Sequence, residues 1–301
     1  MSRPLRWALS IVVAAFGALS PVTVGAQSAR DYLNTPVGAA TGYVDVIATS
    51  SETGAASELP VPNNEVVTGT GAATLLWSYP LMNKYGGVAL GLPYAGVEVR
   101  GASGTTKTSA FGDPSVTLHA NIFGAPALRV DQFPSAVPQT FSSFHLTIHA
   151  PLGEYDSASP VNVGANRWAF TPIVNLSITP DKGVQWIDLG IAGRFYTANN
   201  EFQGSNQLTQ HPLLTLTAHY SHNIGKYLYG AIGLAYNHGG ESFVNDVPQD
   251  DGANAVTPVV AISGAIKLFR LTLRYESTPG TPDGSPTKAL LAFRVTKSLL
   301  F

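Results

Sequence analysis

The C-terminal segment of the chain, Ala289–Phe301, alternates between apolar and polar side chains with a period of two. Apart from Lys297, one face of this segment is apolar and consists of Leu291, Phe293, Val295, Leu299 and Phe301. The other face includes Ala292, Arg294, Thr296 and Ser298. Because successive side chains of a strand point to opposite faces, this pattern is typical of a transmembrane β-strand between lipid and a watery lumen. The sequence therefore favours an outer-membrane β-barrel.

Both ends of the chain predict export to the outer membrane. A basic start, an apolar stretch from Trp7 to Leu19 and the small residues Val24-Gly25-Ala26 predict a signal peptide over residues 1–26. We expect residues 27–301 to form the barrel, with a short periplasmic lead over residues 27–41. The aromatic C-terminus resembles the signal that the barrel assembly machinery of Gram-negative bacteria recognises. The residues expected to form this signal are Phe293, Val295, Leu299 and Phe301.

The composition excludes several other classes of protein. Charged residues make up 12% of the chain, about half of the share that is usual in soluble domains. Because there is no cysteine, the chain forms neither disulfides nor thiolate metal sites. The net charge of −2 argues against nucleic acid as a partner. No stretch of about eighteen apolar residues follows the predicted signal peptide, which excludes an α-helical membrane protein.

Between Gly42 and Phe301 the sequence predicts about twelve strands, joined alternately by long loops and mostly short turns. Gly101–Pro114 is one of the expected long loops. Gly124–Gln139 departs from the alternation, either as a folded excursion on the periplasmic side or because the strand count is off by two there. We expect an all-β, antiparallel, up-and-down transmembrane barrel. A soluble sandwich fits the pattern alone, but not the signal peptide and the terminal Phe.

Charged and histidine side chains keep to one face of the predicted strands wherever the alternation can be followed. A Lys or Arg that faces lipid at mid-depth costs roughly 2–4 kcal/mol, so these side chains are expected to point into the lumen. The candidates that line the lumen are Glu98, Arg100, His119, His145, His149, Asp188, Arg194, His219, Arg274, Glu276 and Arg294. About twelve strands enclose a narrower lumen than sixteen do, which suits small solutes better than sugars or peptides.

Three regions of the sequence resemble one family of outer-membrane proteins. They contain Phe111-Gly112-Asp113-Pro114, then Pro151-Leu152-Gly153-Glu154-Tyr155-Asp156 with Asn162-Val163-Gly164-Ala165-Asn166-Arg167-Trp168, and finally Trp186-Ile187-Asp188-Leu189. Together these regions are similar to the family named for the meta-cleavage pathway of phenol degradation, and the resemblance covers essentially the whole barrel. It implies a barrel that admits hydrophobic or aromatic compounds across the outer membrane of a Gram-negative bacterium.

The third long loop carries polar residues that fit two structural roles. The residues concerned are Glu154, Asp156, Asn162, Asn166 and Arg167. Ion pairs among the charged members and side-chain bonds from the asparagines to backbone would hold the loop in a fold that narrows the pore. Alternatively, these residues merely end the two flanking strands. We favour the second interpretation, because Gly, Asn and Asp are common in loops generally.

Histidines on the predicted inner face raise the question of a metal site. His145 and His149 lie four residues apart, a separation of about 13 Å along a strand, so a metal ion would need His119 from the adjacent strand. Hydrogen bonding within the lumen is the simpler interpretation. No nucleotide-binding fingerprint is present, and we expect neither a metal ion nor another cofactor.

The favoured function is a passive channel or facilitator for small hydrophobic or aromatic compounds, without enzymatic activity. One alternative is a cell-surface barrel enzyme of the lipase or protease type. For it, His238 and Ser242 are the nearest candidates, but no acidic partner lies at a definable spacing. Another alternative is a structural or adhesive barrel whose loops bind a partner. Expected partners are outer-membrane lipid and lipopolysaccharide, the barrel assembly machinery and a small solute. The oligomeric state is left open.

Overall fold

The structure, a computed structural model, describes residues 28–52, 65–101, 104–159, 161–278 and 288–299. The predicted signal peptide and Phe301 lie outside these residues. No helix in the described ranges is long and apolar enough to cross a membrane. The strands are β1 (Ala40–Glu52), β2 (Glu65–Leu81), β3 (Lys84–Gly101), β4 (Gly104–Phe111), β5 (Ser115–Phe123), β6 (Phe141–His149), β7 (Ala169–Ile178), β8 (Gln185–Tyr196), β9 (Asn199–Phe202), β10 (Asn206–Gln210), β11 (Leu213–Asn223), β12 (Leu228–Gly239), β13 (Ser242–Val244), β14 (Val247–Pro248), β15 (Ala253–Ile266), β16 (Phe269–Thr278) and β17 (Lys288–Leu299).

Most of these strands form one closed antiparallel barrel. In chain order its wall consists of β1 to β8, then β11, β12 and β15 to β17, and β17 pairs with β1 to close it. Strands β4 and β5 pair with successive parts of β3, so they share one position in the wall. The barrel is therefore twelve-stranded, and the predicted fold is confirmed. Closure leaves no strand edge unpaired in lipid, where water cannot satisfy backbone groups.

The outer surface of the wall is apolar and the inner surface is largely polar. On β8, Ile187 and Ile191 are 38% and 50% exposed on the outer face, while Asp188 and Arg194 between and beyond them are buried. The same alternation recurs on β11, where Leu216 points outward and His219 inward. A continuous belt of exposed large apolar side chains is stable only against lipid. The chain is thus an outer-membrane barrel.

The wall departs from the sequence prediction next to β3. Gly101–Pro114 is not a loop throughout, because it contains β4, which pairs with Tyr94–Gly101 of β3. β3 has 18 residues, about twice what a membrane span requires, so its outer part rises into water. There the lipid-facing apolar pattern is not needed, which is why β4 is polar in sequence. A break at residues 112–114 separates β4 from β5.

The two ends of the barrel carry different connections. The long segment between β5 and β6 contains a short 3-10 turn, Phe133–Ser135, and pairs by isolated bridges with Val37 and Lys84. It is therefore a folded excursion at the periplasmic end. At the extracellular end, β9, β10, β13 and β14 form a small separate sheet. The side chains of Phe202, Leu208 and Val244 form its apolar core.

Candidate functional site

Most of the predicted lumen residues lie on the inner face of the wall. Asp188 and Arg194 come from β8, and Arg274 and Glu276 from β16, where Arg274 forms an ion pair with Glu276 at 2.9 Å. The other inward-facing residues of the predicted set are His119 on β5, His145 and His149 on β6, His219 on β11 and Arg294 on β17. Their role in transport stays a prediction.

The prediction for Glu98 and Arg100 is wrong. On β3 the inward side chains are Val97 and Val99, which are buried, whereas Glu98 pairs with Arg100 at 2.7 Å and with Lys107 of β4 at 2.9 Å on the outer face. The reason is that this part of β3 lies beyond the lipid belt. Water surrounds its outer face, and an apolar loop covers its inner face.

Two histidines and one serine, on β5 and β6, form a hydrogen-bonded cluster of side chains. The Nδ1 atoms of His145 and His119 are 2.7 Å apart, and His145 Nε2 lies 2.8 Å from the Ser143 hydroxyl. Both nitrogens of His145 are therefore occupied by protein partners. In the described part of the chain, no group of three or more His, Asp or Glu side chains is arranged to hold a metal ion.

The predicted periplasmic lead runs across the periplasmic end of the lumen, where residues 28–39 form what we call the N-terminal floor. The backbone N–H of Arg30 donates to Asp188 Oδ2 at 2.9 Å. Its guanidinium donates to the Ser221 hydroxyl at 2.8 Å and to Asn223 Oδ1 at 2.6 Å, and lies 4.3 Å from the ring centre of Tyr229. One residue of the floor thus contacts three strands of the wall, β8, β11 and β12.

The next two residues of the N-terminal floor reach the opposite side of the wall. Asp31 pairs with Arg294 at 2.9 Å, and the same guanidinium donates to Asp45 of β1 at 2.6 Å. The ring of Tyr32 lies against that of His145 in a tilted contact, with 4.6 Å between the ring centres. The floor therefore spans the lumen from β12 to β6, and its charges are balanced by charges of the wall.

The loop between β6 and β7, described over residues 150–159 and 161–168, folds into the extracellular end of the lumen. Val161 and Val163 are buried against Val97, Val99 and other inward apolar side chains of β2 to β4. The inward fold is the arrangement that the sequence disfavoured. Burial of apolar loop residues in the wall stabilises it, and the Gly/Asn content alone did not indicate this.

Asp113, in the break between β4 and β5, anchors this inward loop. One carboxylate oxygen accepts from the backbone N–H of Gly153 at 2.9 Å and the other from that of Ala165 at 2.9 Å. The side chain is 5% exposed. Gly153 packs so closely that an added Cβ would lie 2.6 Å from the carbonyl carbon of Gly112. The break in the wall and the loop are therefore one fitted unit.

The predicted loop residues hold the loop through hydrogen bonds. Glu154 accepts from the backbone N–H of Phe111 at 3.2 Å. Asn162 Oδ1 accepts from the backbone N–H of Asp156 at 2.7 Å, and its amide donates back to the Asp156 carbonyl at 2.9 Å. Asn166 donates to Asn199 at 3.1 Å. The expected ion pairs are replaced by bonds to backbone and amide groups in these contacts.

A cationic cluster lies where the loop meets β8. Arg167 donates to Gln210 at 2.5 Å and its guanidinium lies 4.6 Å from the ring centre of Tyr196, while that of Arg194 lies 5.5 Å from the same ring. Burial lowers the pKa of Arg167 to about 10, so the guanidinium is charged at neutral pH. Two cations thus lie against one aromatic ring at the extracellular end of the lumen.

The structure does not join His238 and Ser242 in an enzyme-like arrangement. His238 is exposed at the end of β12 and stacks on Tyr236, with 6.2 Å between ring centres. Ser242 is buried, and its backbone N–H donates to Asp251 at 2.7 Å. Burial raises the pKa of Asp251. These contacts stabilise the extracellular loops.

Sequence reasoning missed four residues of the lumen. No periodic pattern of the sequence indicates the positions of Arg30, Asp31 and Tyr32. The strands that these residues contact lie roughly 100 to 260 residues further along the chain, beyond the reach of a local pattern. Asp113 lies within Phe111-Gly112-Asp113-Pro114, one of the stretches that carried the family resemblance. That stretch was the one available signal for its role.

The comparisons with known proteins agree with this architecture. The family described as "Putative MetA-pathway of phenol degradation" matches residues 38–283. A search of curated protein sequences finds no match. The family match covers every strand of the wall from β1 to β16.

Solved structures of outer-membrane barrels share the fold. An outer membrane channel from Pseudomonas putida F1 is 20% identical, with a TM-score of 0.77, and the match covers 91% of this chain and 100% of that one. The transport unit of the autotransporter AIDA-I from Escherichia coli is 10% identical, with a TM-score of 0.53 and full coverage of both chains. The translocator domain of the autotransporter NalP from Neisseria meningitidis is 12% identical, with a TM-score of 0.52 and 97% coverage of each chain.

Proposed function

This chain belongs to the family described as the MetA-pathway of phenol degradation, and on that premise we propose that it is a passive outer-membrane channel for small aromatic or hydrophobic compounds. The observation that carries the proposal is the closed twelve-stranded wall around a lumen of hydrogen-bonding side chains and rings. Such a wall isolates a solute path from lipid. The Pseudomonas putida protein with the same fold is itself an outer membrane channel.

The chemistry of the lumen supports a monoaromatic solute. Imidazole and phenol rings, such as those of His145, His119 and Tyr196, offer stacking faces. Hydroxyls of inward threonines and serines offer bonds to a single polar substituent; the Thr117 and Thr147 hydroxyls, for example, are 2.9 Å apart on adjacent strands. Charges of the lumen pair with one another, as in Arg274 with Glu276 and Arg294 with Asp31, so the rings and hydroxyls favour neutral ring compounds over ions or sugars.

The two obstructions of the lumen support a size limit. The inward loop occupies the extracellular end and the N-terminal floor crosses the periplasmic end. A solute must pass both obstructions, so either the solute is small or the chain rearranges to let it through. Non-covalent contacts hold both obstructions to the wall, and the chain has no cysteine that would cross-link either one to it.

Uptake by cells tests the proposal. Cells with and without the gene are given trace labelled phenol or cresol, which are both neutral, at low external concentration, because these compounds also leak through bilayers and only a slow background reveals a channel. We expect faster uptake with the gene. Equal uptake, with the heat-modifiable barrel verified in the outer membrane, would count against a channel for these solutes.

A further inference from the structure

The side chain of Tyr32 lies in the lumen as a tethered phenol. Its ring lies against the His145 ring in a tilted contact, with 4.6 Å between ring centres and 49° between the ring planes. The hydroxyl oxygen is buried and has no hydrogen-bond partner among the described residues. Burial raises the pKa of Tyr32 well above its ordinary value, so the phenol is neutral. Ring contact and burial, without a polar bond from the side chain, therefore hold this ring in place.

The neighbours of Tyr32 in the N-terminal floor are held by a different chemistry. The guanidinium of Arg30 is held by hydrogen bonds to Ser221 and Asn223 of β11, and Asp31 by its ion pair with Arg294. Those contacts are specific to the charged groups that make them. A contact between two aromatic rings depends only on the rings, so a free aromatic molecule of the same size can make the contact that Tyr32 makes.

Next to the Tyr32 ring, the His145 side chain is held in place by hydrogen bonds, and one nitrogen of His119 lacks a hydrogen-bond partner among the described residues. His145 is held by Ser143 and His119, so its ring face keeps one orientation. His119 Nε2 is buried and, in the part of the chain that the structure describes, has no partner. Buried polar atoms are usually paired, by protein, water or ligand. The His119 ring meets that of His145 edge to face, with 4.6 Å between ring centres, so its unpaired nitrogen is a partner for the hydroxyl of a small solute held against His145.

We propose that the side of the His145 ring that Tyr32 contacts is a binding subsite for the ring of a small phenolic solute, and that Tyr32 occupies this subsite when no solute is bound. The inference rests on the proposed function and specifies its solute class as a hydroxylated single ring. A bound phenol displaces Tyr32 from its contact with His145. The apparent affinity of the unaltered protein for phenol is then the affinity of the empty subsite multiplied by the fraction of molecules from which Tyr32 has left the subsite.

Titration of purified full-length protein with phenol, by calorimetry in detergent, tests the subsite. We expect Tyr32→Ala to bind phenol about tenfold more tightly than the unaltered protein, because competition is removed. Tyr32→Phe is expected to bind phenol no more tightly than the unaltered protein, because its ring still fills the subsite and loses only a buried hydroxyl without a partner among the described residues. Tyr275→Ala, at an outward-facing position that is 46% exposed, is the control for loss of a tyrosine ring.

Two further comparisons identify the ring contact. The gain of Tyr32→Ala should be absent for cyclohexanol, which has the hydroxyl without the aromatic ring, and should be lost when His145→Ala is added. Equal phenol binding by the unaltered protein and Tyr32→Ala would overturn the proposal. So would a gain that cyclohexanol shares. If His145→Ala prevents folding, the contrast between Tyr32→Ala and Tyr32→Phe decides alone.

The outcome is separable from that of the proposed function. Rapid phenol uptake by cells, combined with no gain in Tyr32→Ala, refutes the subsite and leaves the channel. A gain in Tyr32→Ala without uptake supports the subsite and counts against the channel.

Discussion

Replacement of Asp113 by asparagine should loosen the loop that folds into the lumen. Each carboxylate oxygen accepts one backbone N–H at 2.9 Å, from Gly153 and from Ala165. Asparagine is nearly the same size but has one acceptor oxygen, and its NH2 group would face a second donor. One of the two bonds is therefore lost outright, while the packing of the break is kept.

The magnitude follows from the value of one such bond. A hydrogen bond to a charged group contributes about 1.5–3 kcal/mol. Since each 1.4 kcal/mol is tenfold in an equilibrium constant, the loop should open about 10 to 140 times more often in Asp113→Asn. The barrel wall should keep its stability, because its ladders do not depend on this side chain.

Hydrogen exchange read by mass spectrometry measures this opening. Peptides from residues 151–166 should exchange faster by that factor in Asp113→Asn, while peptides from β8 and β11 stay unchanged. Asp131→Asn is the matched control, because Asp131 forms an exposed pair with Arg129 in the segment between β5 and β6. Unchanged exchange in 151–166 would refute the role of Asp113 as the anchor.

Two further predictions concern the floor and the wall. Arg294→Leu leaves Asp31 without its ion pair, so residues 28–34 should become more sensitive to protease and small-ion conductance should rise. Arg294→Lys keeps the positive charge and should retain most of the protection against protease. Unchanged protease sensitivity would contradict this. Gly233→Ala would bring a Cβ within 2.1 Å of the His219 ring, so we expect the free energy of unfolding to fall by about 1–3 kcal/mol. A heat-modifiability assay measures this loss of stability. Gly69→Ala should show no loss, because a Cβ at Gly69 meets open space. Equal stability of the two variants would refute the packing of His219.

The wall of the barrel was predictable because lipid imposes a strict alternation. On β8 and β11 every second side chain must be apolar, and Ile187, Leu216 and their neighbours obey this. The same rule placed Asp188 and His219 in the lumen. It failed for Glu98, since the end of β3 lies in water outside and against apolar Val161 inside.

The obstructions of the lumen were not predictable by the same rule. Tyr32 reaches His145 across more than a hundred positions of sequence, and a local pattern contains no information about such a contact. The loop that carries Val163 is rich in turn residues, which are equally common in loops that fold outward. Its inward fold depends on apolar partners contributed by other strands.

The central claim, that solute passes through the lumen, is tested most directly by a thiol block. Because the chain has no cysteine, Thr171→Cys on the inner face of β7 and Val174→Cys on its outer face each give a unique thiol. Labelled phenol uptake is then measured before and after reaction with a bulky thiol reagent. The lumen route predicts loss of uptake in Thr171→Cys alone. Equal uptake in both labelled variants, with labelling verified by mass, would contradict it.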